Sequence, residues 1–94
     1  MARIAHADWV MFQKNGTDAT TVCATIARAA TGRRKILVAQ GAYHGSAPWC
    51  TPAPAGITPE DRAHFATYRY NDVASLEAAA AAAGNDLAGI FASA

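Results

Sequence analysis

The chain has 94 residues, of which 52% are hydrophobic and 16% charged, and its formal net charge is +1. A chain of this length forms at most one small domain or a piece of a larger one. The weak net charge predicts neither a nucleic acid nor another strongly charged partner. No apolar run reaches the roughly 20 residues of a membrane-spanning helix, and the start lacks a secretory signal. We therefore expect a cytoplasmic protein without a membrane partner.

The first predicted elements are a strand, a helix and a second strand. Residues 9–12, WVMF, form a short apolar run bounded by polar residues, which is typical of a buried strand. Asn15 is placed to cap a helix, with Asp18 three residues on, and Gly32 is placed to end it. Lys35–Ala39 predicts a strand covered on both faces. One apolar stripe of the helix would be buried, made of Ala19, Val22, Cys23, Ile26 and Ala30.

The second half of the chain begins with a long loop. Residues 40–64 hold all 4 prolines together with several glycines, and a long loop in a compact domain is often functional. Residues 65–72 then begin with a short predicted strand, after which Asn71 or Asp72 can cap a second helix. The alanines before Gly84 predict a helix packed closely on a sheet, and residues 87–92 predict a last strand.

Alternation of strands and helices predicts an α/β fold with a mainly parallel sheet and covering helices. Such sheets bind their ligands at the carboxyl ends of the strands. The last strand runs into the end of the chain, so we expect residues 1–94 to be part of a larger domain. The two cysteines show no metal or redox spacing, and Cys23 is expected to be a buried free thiol.

The turn NGTD, residues 15–18, allows two interpretations. Unpaired backbone N–H groups and the positive end of the helix dipole suit the turn to a phosphate. Gly16 would let the backbone approach such a group closely, and the Thr17 hydroxyl could add a donor. Alternatively, Asn15 only caps the helix, and Asp18 would compete with an anion. Neither a P-loop nor a dinucleotide-binding glycine motif is present.

The segment GAYHG, residues 41–45, places Tyr43 and His44 just past a predicted strand. A tyrosine there can stack on a planar ligand, and a histidine can orient it or exchange protons. The other interpretation is a loop aromatic that rests on the surface. No metal site is predicted, because the three histidines lack a paired ligand spacing.

Three motifs occur in a fixed order within residues 7–45: KNGTDA, ARAATGRRKI and GAYHG. Together they resemble the class III pyridoxal-phosphate-dependent aminotransferases, especially the branch that contains glutamate-1-semialdehyde aminomutase. The later YNDVASLEAA, residues 70–79, is similar to a cap and helix of the same family. The resemblance covers most of the chain but only a middle portion of the family's large domain.

The resemblance implies that residues 1–94 are part of the large, cofactor-binding domain of a fold type I pyridoxal-phosphate enzyme. By position, Gly16 and Thr17 would hold the cofactor's phosphate, with Asn15 where the family usually has serine. Tyr43 would stack on the pyridine ring, with His44 beside it. Pyridoxal 5'-phosphate is thus the expected cofactor.

No catalytic residue is assigned to this chain. In the family, the Schiff-base lysine and the aspartate of the pyridine nitrogen lie further downstream, and neither Lys14 nor Lys35 matches that lysine. The resemblance implies a homodimeric parent that transfers an amino group from a small-molecule donor to a keto or aldehyde acceptor, or exchanges it within one molecule. We expect the chain to be inactive alone. The alternatives are a small phosphate-ligand-binding module without catalysis and a translated gene fragment without function.

Overall fold

A computed structural model of the chain describes residues 6–93. It is an α/β structure in which a parallel sheet is covered by helices, as the sequence predicts. No helix in this range is both long and apolar enough to cross a membrane. The elements in chain order are α1 (Gly16–Thr31), β1 (Lys35–Ala39), a 3-10 helix (Pro59–Arg62), β2 (Phe65–Tyr68), α2 (Val73–Ala83), a 3-10 helix (Gly84–Asp86) and β3 (Leu87–Phe91).

Helix α1 begins and ends where its capping residues predict. The Asn15 side chain accepts a hydrogen bond of 2.9 Å from the backbone N–H of Asp18. Gly32 adopts the left-handed conformation, with φ of 66°, and its N–H donates to the Arg28 carbonyl. Glycine takes this conformation without the steric cost that a Cβ brings. Both predicted ends of the helix are confirmed.

The three strands run parallel in the order β2-β1-β3. From β1 the chain moves to β2 on one side, and α2 then carries it back across the sheet to β3 on the other side. The strand order therefore reverses between β1 and β3, which is where open α/β sheets bind ligands. The central strand β1 has a neighbouring strand along each edge, and its Ile36 and Leu37 side chains are fully buried.

The two helices cover opposite faces of the sheet. Successive side chains of a strand point to opposite faces, and Leu37 lies on the α2 side while Ile36 lies on the α1 side. Leu37, Ala39 and Tyr68 form the core on the α2 side, where Ala79 and Ala80 of α2 pack against them. The predicted close packing of the alanine helix is thus confirmed.

On the opposite face, α1 lies against β3. A Cβ added to Gly89 would lie 3.5 Å from the Cβ of Ala27 and 3.8 Å from Ile36 Cδ1. Small residues on both elements therefore allow the helix to approach the sheet closely.

The predicted strand at residues 9–12 is wrong. The segment has no regular structure, and Trp9 and Phe12 are 65% and 73% exposed. A strand forms only where a neighbouring strand completes its hydrogen bonds. Both sides of β1 are already taken by β2 and β3, and the segment joins neither outer strand in the described part of the chain.

The predicted apolar stripe of α1 is also wrong in part. Ala24, which lies outside that stripe, is the buried residue of α1, whereas Cys23 and Ile26 are exposed. Residues one position apart on a helix point about 100° apart, so the buried face at Ala24 is turned by about this angle from Cys23. The expectation that Cys23 is buried is corrected accordingly, although its thiol is free as expected.

Candidate functional site

The five predicted site residues lie around one open cavity of about 980 Å³. Asn15, Gly16 and Thr17 form its edge at the start of α1, and Tyr43 and His44 reach it from the loop after β1. The end of β3 completes the lining. The cavity thus lies at the carboxyl ends of β1 and β3, where the strand order reverses, and its size is ordinary for a small-molecule site.

The start of α1 presents two unpaired backbone donors to this cavity. The first N–H groups of a helix have no carbonyl partner within the helix. Asn15 satisfies the N–H of Asp18, but those of Gly16 and Thr17 have no acceptor among residues 6–93. Around Gly16, the space that a Cβ would occupy is free of atoms within 4 Å. Together with the positive end of the helix dipole, these donors suit an anion.

Thr17 joins the helix start to the loop and keeps a donor of its own. The Ser46 backbone N–H donates to Thr17 Oγ1 over 3.1 Å. A hydroxyl that accepts one hydrogen bond still has a proton to donate. The Thr17 hydroxyl can therefore add a third donor beside the two N–H groups.

Gly45 permits the close approach of this loop to α1. Its φ is 135°, which side chains rarely adopt, and an added Cβ would lie 2.7 Å from Thr17 Oγ1 and 3.0 Å from Thr17 Cα. Because the second atom belongs to the backbone, the helix itself would have to shift. Only glycine fits between the loop and the helix at this position.

The two ring side chains of the loop differ in their surroundings. Tyr43 is 65% exposed beside the cavity, so a face of its ring is available for stacking. His44 packs edge-on against Phe91, with ring centroids 5.7 Å apart, and its Nε2 atom is buried without a hydrogen-bond partner in the described part of the chain. A buried unpaired nitrogen is costly. The cavity therefore suits a ligand that brings a planar ring and polar atoms.

The charges around the cavity limit its chemistry. The Asp18 carboxylate lies in the first turn of α1, where it opposes a bound anion, although exposure to solvent weakens this effect. Neither Lys14 nor Lys35 lines the cavity. Within residues 6–93, no group of three or more His, Cys, Asp or Glu side chains could hold a metal ion. Among residues 6–93, the arrangement can bind and orient a ligand, but no lysine amine lines the cavity.

The interpretation of the sequence missed the residues that hold the loop against α1. The Thr20 hydroxyl lies 2.6 Å from the His44 carbonyl oxygen, and Trp49 Nε1 donates to Thr21 Oγ1 over 2.9 Å. These threonines share one helix face with Thr17, since residues three and four positions apart are neighbours. Threonine is a mediocre helix former, so three threonines on one helix face are a sign in the sequence that this face makes specific contacts.

An aromatic cluster supports the far end of the loop. Trp49 stacks on Phe65 at 5.0 Å between centroids and meets Phe91 edge-on at 5.9 Å. The guanidinium of Arg28 lies over the Phe65 ring, 5.0 Å from its centroid. Next to Trp49, burial raises the pKa of the Cys50 thiol, which makes it a poor nucleophile.

No family model matches the chain. Its curated relatives include an aminopentol aminotransferase from Sphingopyxis macrogoltabida, 55% identical over 95% of this chain and 21% of the relative. A 3-aminobutyryl-CoA aminotransferase from Cloacimonas acidaminovorans is 42% identical over 83% of this chain and 18% of the relative. A glutamate-1-semialdehyde 2,1-aminomutase from Bordetella avium is 34% identical over 92% and 23%, respectively. The chain thus spans about a fifth of the length of these relatives.

Solved structures of similar fold include proteins that carry PLP. The FumI protein of Sphingopyxis sp. MTA144, in its PLP internal aldimine form, superposes with a TM-score of 0.90 at 56% identity, over 94% of this chain and 21% of that one. A transaminase with PLP bound gives a TM-score of 0.80 at 26% identity, over 88% and 22%. The likeness extends over nearly all of the chain in both sequence and fold.

Proposed function

We propose that this chain, a homologue of one segment of the class III pyridoxal-phosphate-dependent aminotransferases, supplies the phosphate-binding turn and the ring-stacking tyrosine of a pyridoxal-phosphate site. The observation that carries this proposal is the single cavity shared by the start of α1 and the loop after β1. Its unpaired N–H groups suit a phosphate, and its exposed tyrosine ring suits a planar ring. Pyridoxal phosphate combines both groups, and it is the cofactor named for two solved structures of similar fold.

The residues of this chain would divide the binding work. The N–H groups of Gly16 and Thr17, with the Thr17 hydroxyl, would hold the phosphate, while Asn15 keeps the first turn in place through the Asp18 N–H. Tyr43 would stack on one face of the ring and exclude water there. When bound, the cofactor supplies an electron sink for the carbon that carries the amino group.

His44 would lie beside the ring, and its buried Nε2 atom is available for a hydrogen bond. An imidazole can donate or accept at this atom, depending on its tautomer. The residue would therefore orient a polar group at the inner end of the cavity. No proton transfer to substrate is assigned to it.

Catalysis would require a Schiff-base lysine from outside this chain, because neither Lys14 nor Lys35 lines the cavity. In the proposed parent enzyme, an amino group moves between a small-molecule amino donor and a keto or aldehyde acceptor, or within one molecule. Residues 1–94 would form part of its large domain. The cytoplasmic location and the homodimeric parent stay predictions, which fractionation and sedimentation of the parent can test.

The direct test is equilibrium binding of pyridoxal phosphate to the purified chain. We expect saturable binding, weaker binding of unphosphorylated pyridoxal, and no lasting pyridoxyl label on Lys14 or Lys35 after borohydride reduction. Thr17→Val should weaken both pyridoxal phosphate and inorganic phosphate by roughly tenfold, the effect of a hydrogen bond to a charged group. Tyr43→Ala should weaken pyridoxal phosphate alone, by roughly two- to tenfold.

Tyr70→Ala is the matched control, since Tyr70 is about as exposed as Tyr43 but does not line the cavity. Equal affinity for pyridoxal phosphate and for a phosphate ester without a ring would favour the non-catalytic phosphate-binding module. Failure to bind either ligand would overturn the proposed function. A stable label at one of the two lysines would overturn the statement that the chain lacks the reacting amine.

A further inference from the structure

Three threonines of α1 form a face that contacts the loop after β1. We call Thr17, Thr20 and Thr21 the threonine face. Thr17 accepts from the Ser46 N–H, and Thr21 accepts from Trp49 Nε1. Thr20 lies between these two and is half-buried. The loop is thus in contact with the helix through all three hydroxyls.

The Thr20 hydroxyl has one proton and three nearby carbonyls. Its Oγ1 lies 3.2 Å from the Gly16 oxygen, 3.1 Å from the Thr17 oxygen and 2.6 Å from the His44 oxygen. Helical threonines usually bond back to a carbonyl of the preceding turn. Here the loop carbonyl is the nearest acceptor by 0.5 Å or more, so the proton goes to His44.

The loop has little else to hold its backbone at this point. Within the described part of the chain, the backbone of residues 43–46 makes hydrogen bonds only to the hydroxyls of Thr17 and Thr20. The His44 carbonyl follows directly after the two ring-bearing residues. The orientation of its peptide group therefore determines where Tyr43 and His44 lie relative to the start of α1.

We infer that Thr20 is a positioning residue, whose hydroxyl holds Tyr43 and His44 in register with the phosphate-binding start of α1. The inference rests on the proposed function for its ligand, but the contact exists without the ligand. Thr20 would touch no reacting atom. Its loss would separate the two halves of the site, so that phosphate binding persists while the contribution of the ring is lost.

The test compares Thr20→Val, which keeps the shape but removes the donor, with Thr20→Ser, which restores it. Thr25→Val is the matched control, since within residues 6–93 the Thr25 hydroxyl bonds only to the Thr21 carbonyl of its own helix. Hydrogen exchange of backbone amides in residues 43–49 is measured on the ligand-free chain. We expect roughly fivefold faster exchange of the Ser46 N–H in Thr20→Val, the effect of one hydrogen bond. Thr20→Ser and Thr25→Val should resemble the wild type.

The second measurement is the ratio of affinities for pyridoxal phosphate and inorganic phosphate. Thr20→Val should lower the first several-fold and leave the second unchanged, which a general loss of stability would not do. Thr20→Ala gives the same comparison if valine disturbs the fold. If the Ser46 N–H exchanged at the wild-type rate in both Thr20→Val and Thr20→Ala, the inference would be overturned. If the wild type bound neither ligand, the proposed function would fail, while the exchange rates would still decide the role of Thr20.

Discussion

The two α-helices begin with the same kind of cap but differ in what the cap leaves open. In α1, Asn15 accepts from the N–H of the third residue on, and in α2 Asp72 accepts in the same way from Ser75, at 3.0 Å. The second oxygen of Asp72 also accepts from Arg69 Nε at 3.0 Å. The start of α2 thus already contains an anion and its counter-charge, whereas the cap of α1 is neutral.

This difference separates a structural helix start from one that can receive a ligand. A carboxylate at the cap position itself occupies the place of an external anion, whereas Asp18 of α1 lies in the exposed first turn, where solvent weakens its repulsion of an anion. A neutral amide satisfies one N–H group and leaves the field of the others available. In this chain, the helix with the neutral cap is also the one that borders the cavity.

The largest expected effect comes from Gly45→Ala, which would separate α1 from its loop. The added methyl group would collide with Thr17, so we expect at least a tenfold loss of pyridoxal-phosphate affinity and a destabilisation of about 1–3 kcal/mol. Gly56→Ala is the matched control, because Gly56 also has a positive φ, of 81°, but free space around it. Both variants carry backbone strain, and thermal unfolding measures it. Only Gly45→Ala should lose affinity, and equal losses would contradict the role of the close contact.

An intermediate effect is expected from Asn15→Asp, which gives α1 the charged cap of α2. Asparagine and aspartate cap helices about equally well, so the melting temperature at neutral pH should hardly change. The new charge should lower the affinity for inorganic phosphate roughly five- to tenfold through repulsion. The reverse exchange, Asp72→Asn, should leave ligand affinity unchanged. Calorimetric titration of the wild type, Asn15→Asp and Asp72→Asn with phosphate measures these affinities. Equal affinities of the wild type and Asn15→Asp would contradict the role of the cap charge.

The smallest effect concerns the response of the two helix starts to acid. A hydrogen bond from the Ser75 backbone N–H, followed by one from Arg69, lowers the pKa of Asp72 below its usual value. A carboxyl whose pKa is lowered by folding stabilises the fold above its unfolded pKa, about 4, and loses this contribution as the pH falls through the folded pKa. Chemical unfolding should therefore show constant stability near neutral pH and a decline below about pH 4. Asp72→Asn should make that decline shallower.

Asp86 adds to the same decline, since its bond to Arg34 lowers its pKa as well. The cap of α1 does not titrate, so Asn15→Ala should lower stability by a similar amount at every pH. An acid response that Asp72→Asn left untouched would locate the titrating groups elsewhere.

Local features of the sequence predicted most of the fold. The caps at Asn15 and Gly32 and the strand Lys35–Ala39 could be identified because each depends on residues within a few positions. The predicted strand at residues 9–12 failed because a strand also needs a partner strand, and in the described part of the chain this segment pairs with none of the three strands. The buried face of α1 failed for a related reason, since the position of the sheet, rather than the helix itself, decides which side is covered.

The sequence predicted the two segments that form the candidate site, but not the contacts that hold them together. NGTD and GAYHG each carry residues whose chemistry can be recognised, and the resemblance placed them in one site. The bond from Thr20 to the His44 carbonyl joins residues 24 positions apart, and no local pattern specifies such a contact. Gly45 belongs to the GAYHG motif, but its close contact with Thr17 depends on the packing of the loop against α1, which the motif does not specify.

The bond between Ser46 and Thr17 has a consequence for the rate of binding. The loop and the helix start are already joined in the ligand-free chain, so an arriving ligand need not order them. Preorganised sites lose less conformational entropy on association, and differences in affinity among their variants lie mainly in the dissociation rate. A phosphorylated ring should therefore enter this cavity in a single kinetic phase, and the helix–loop contact should determine its residence time.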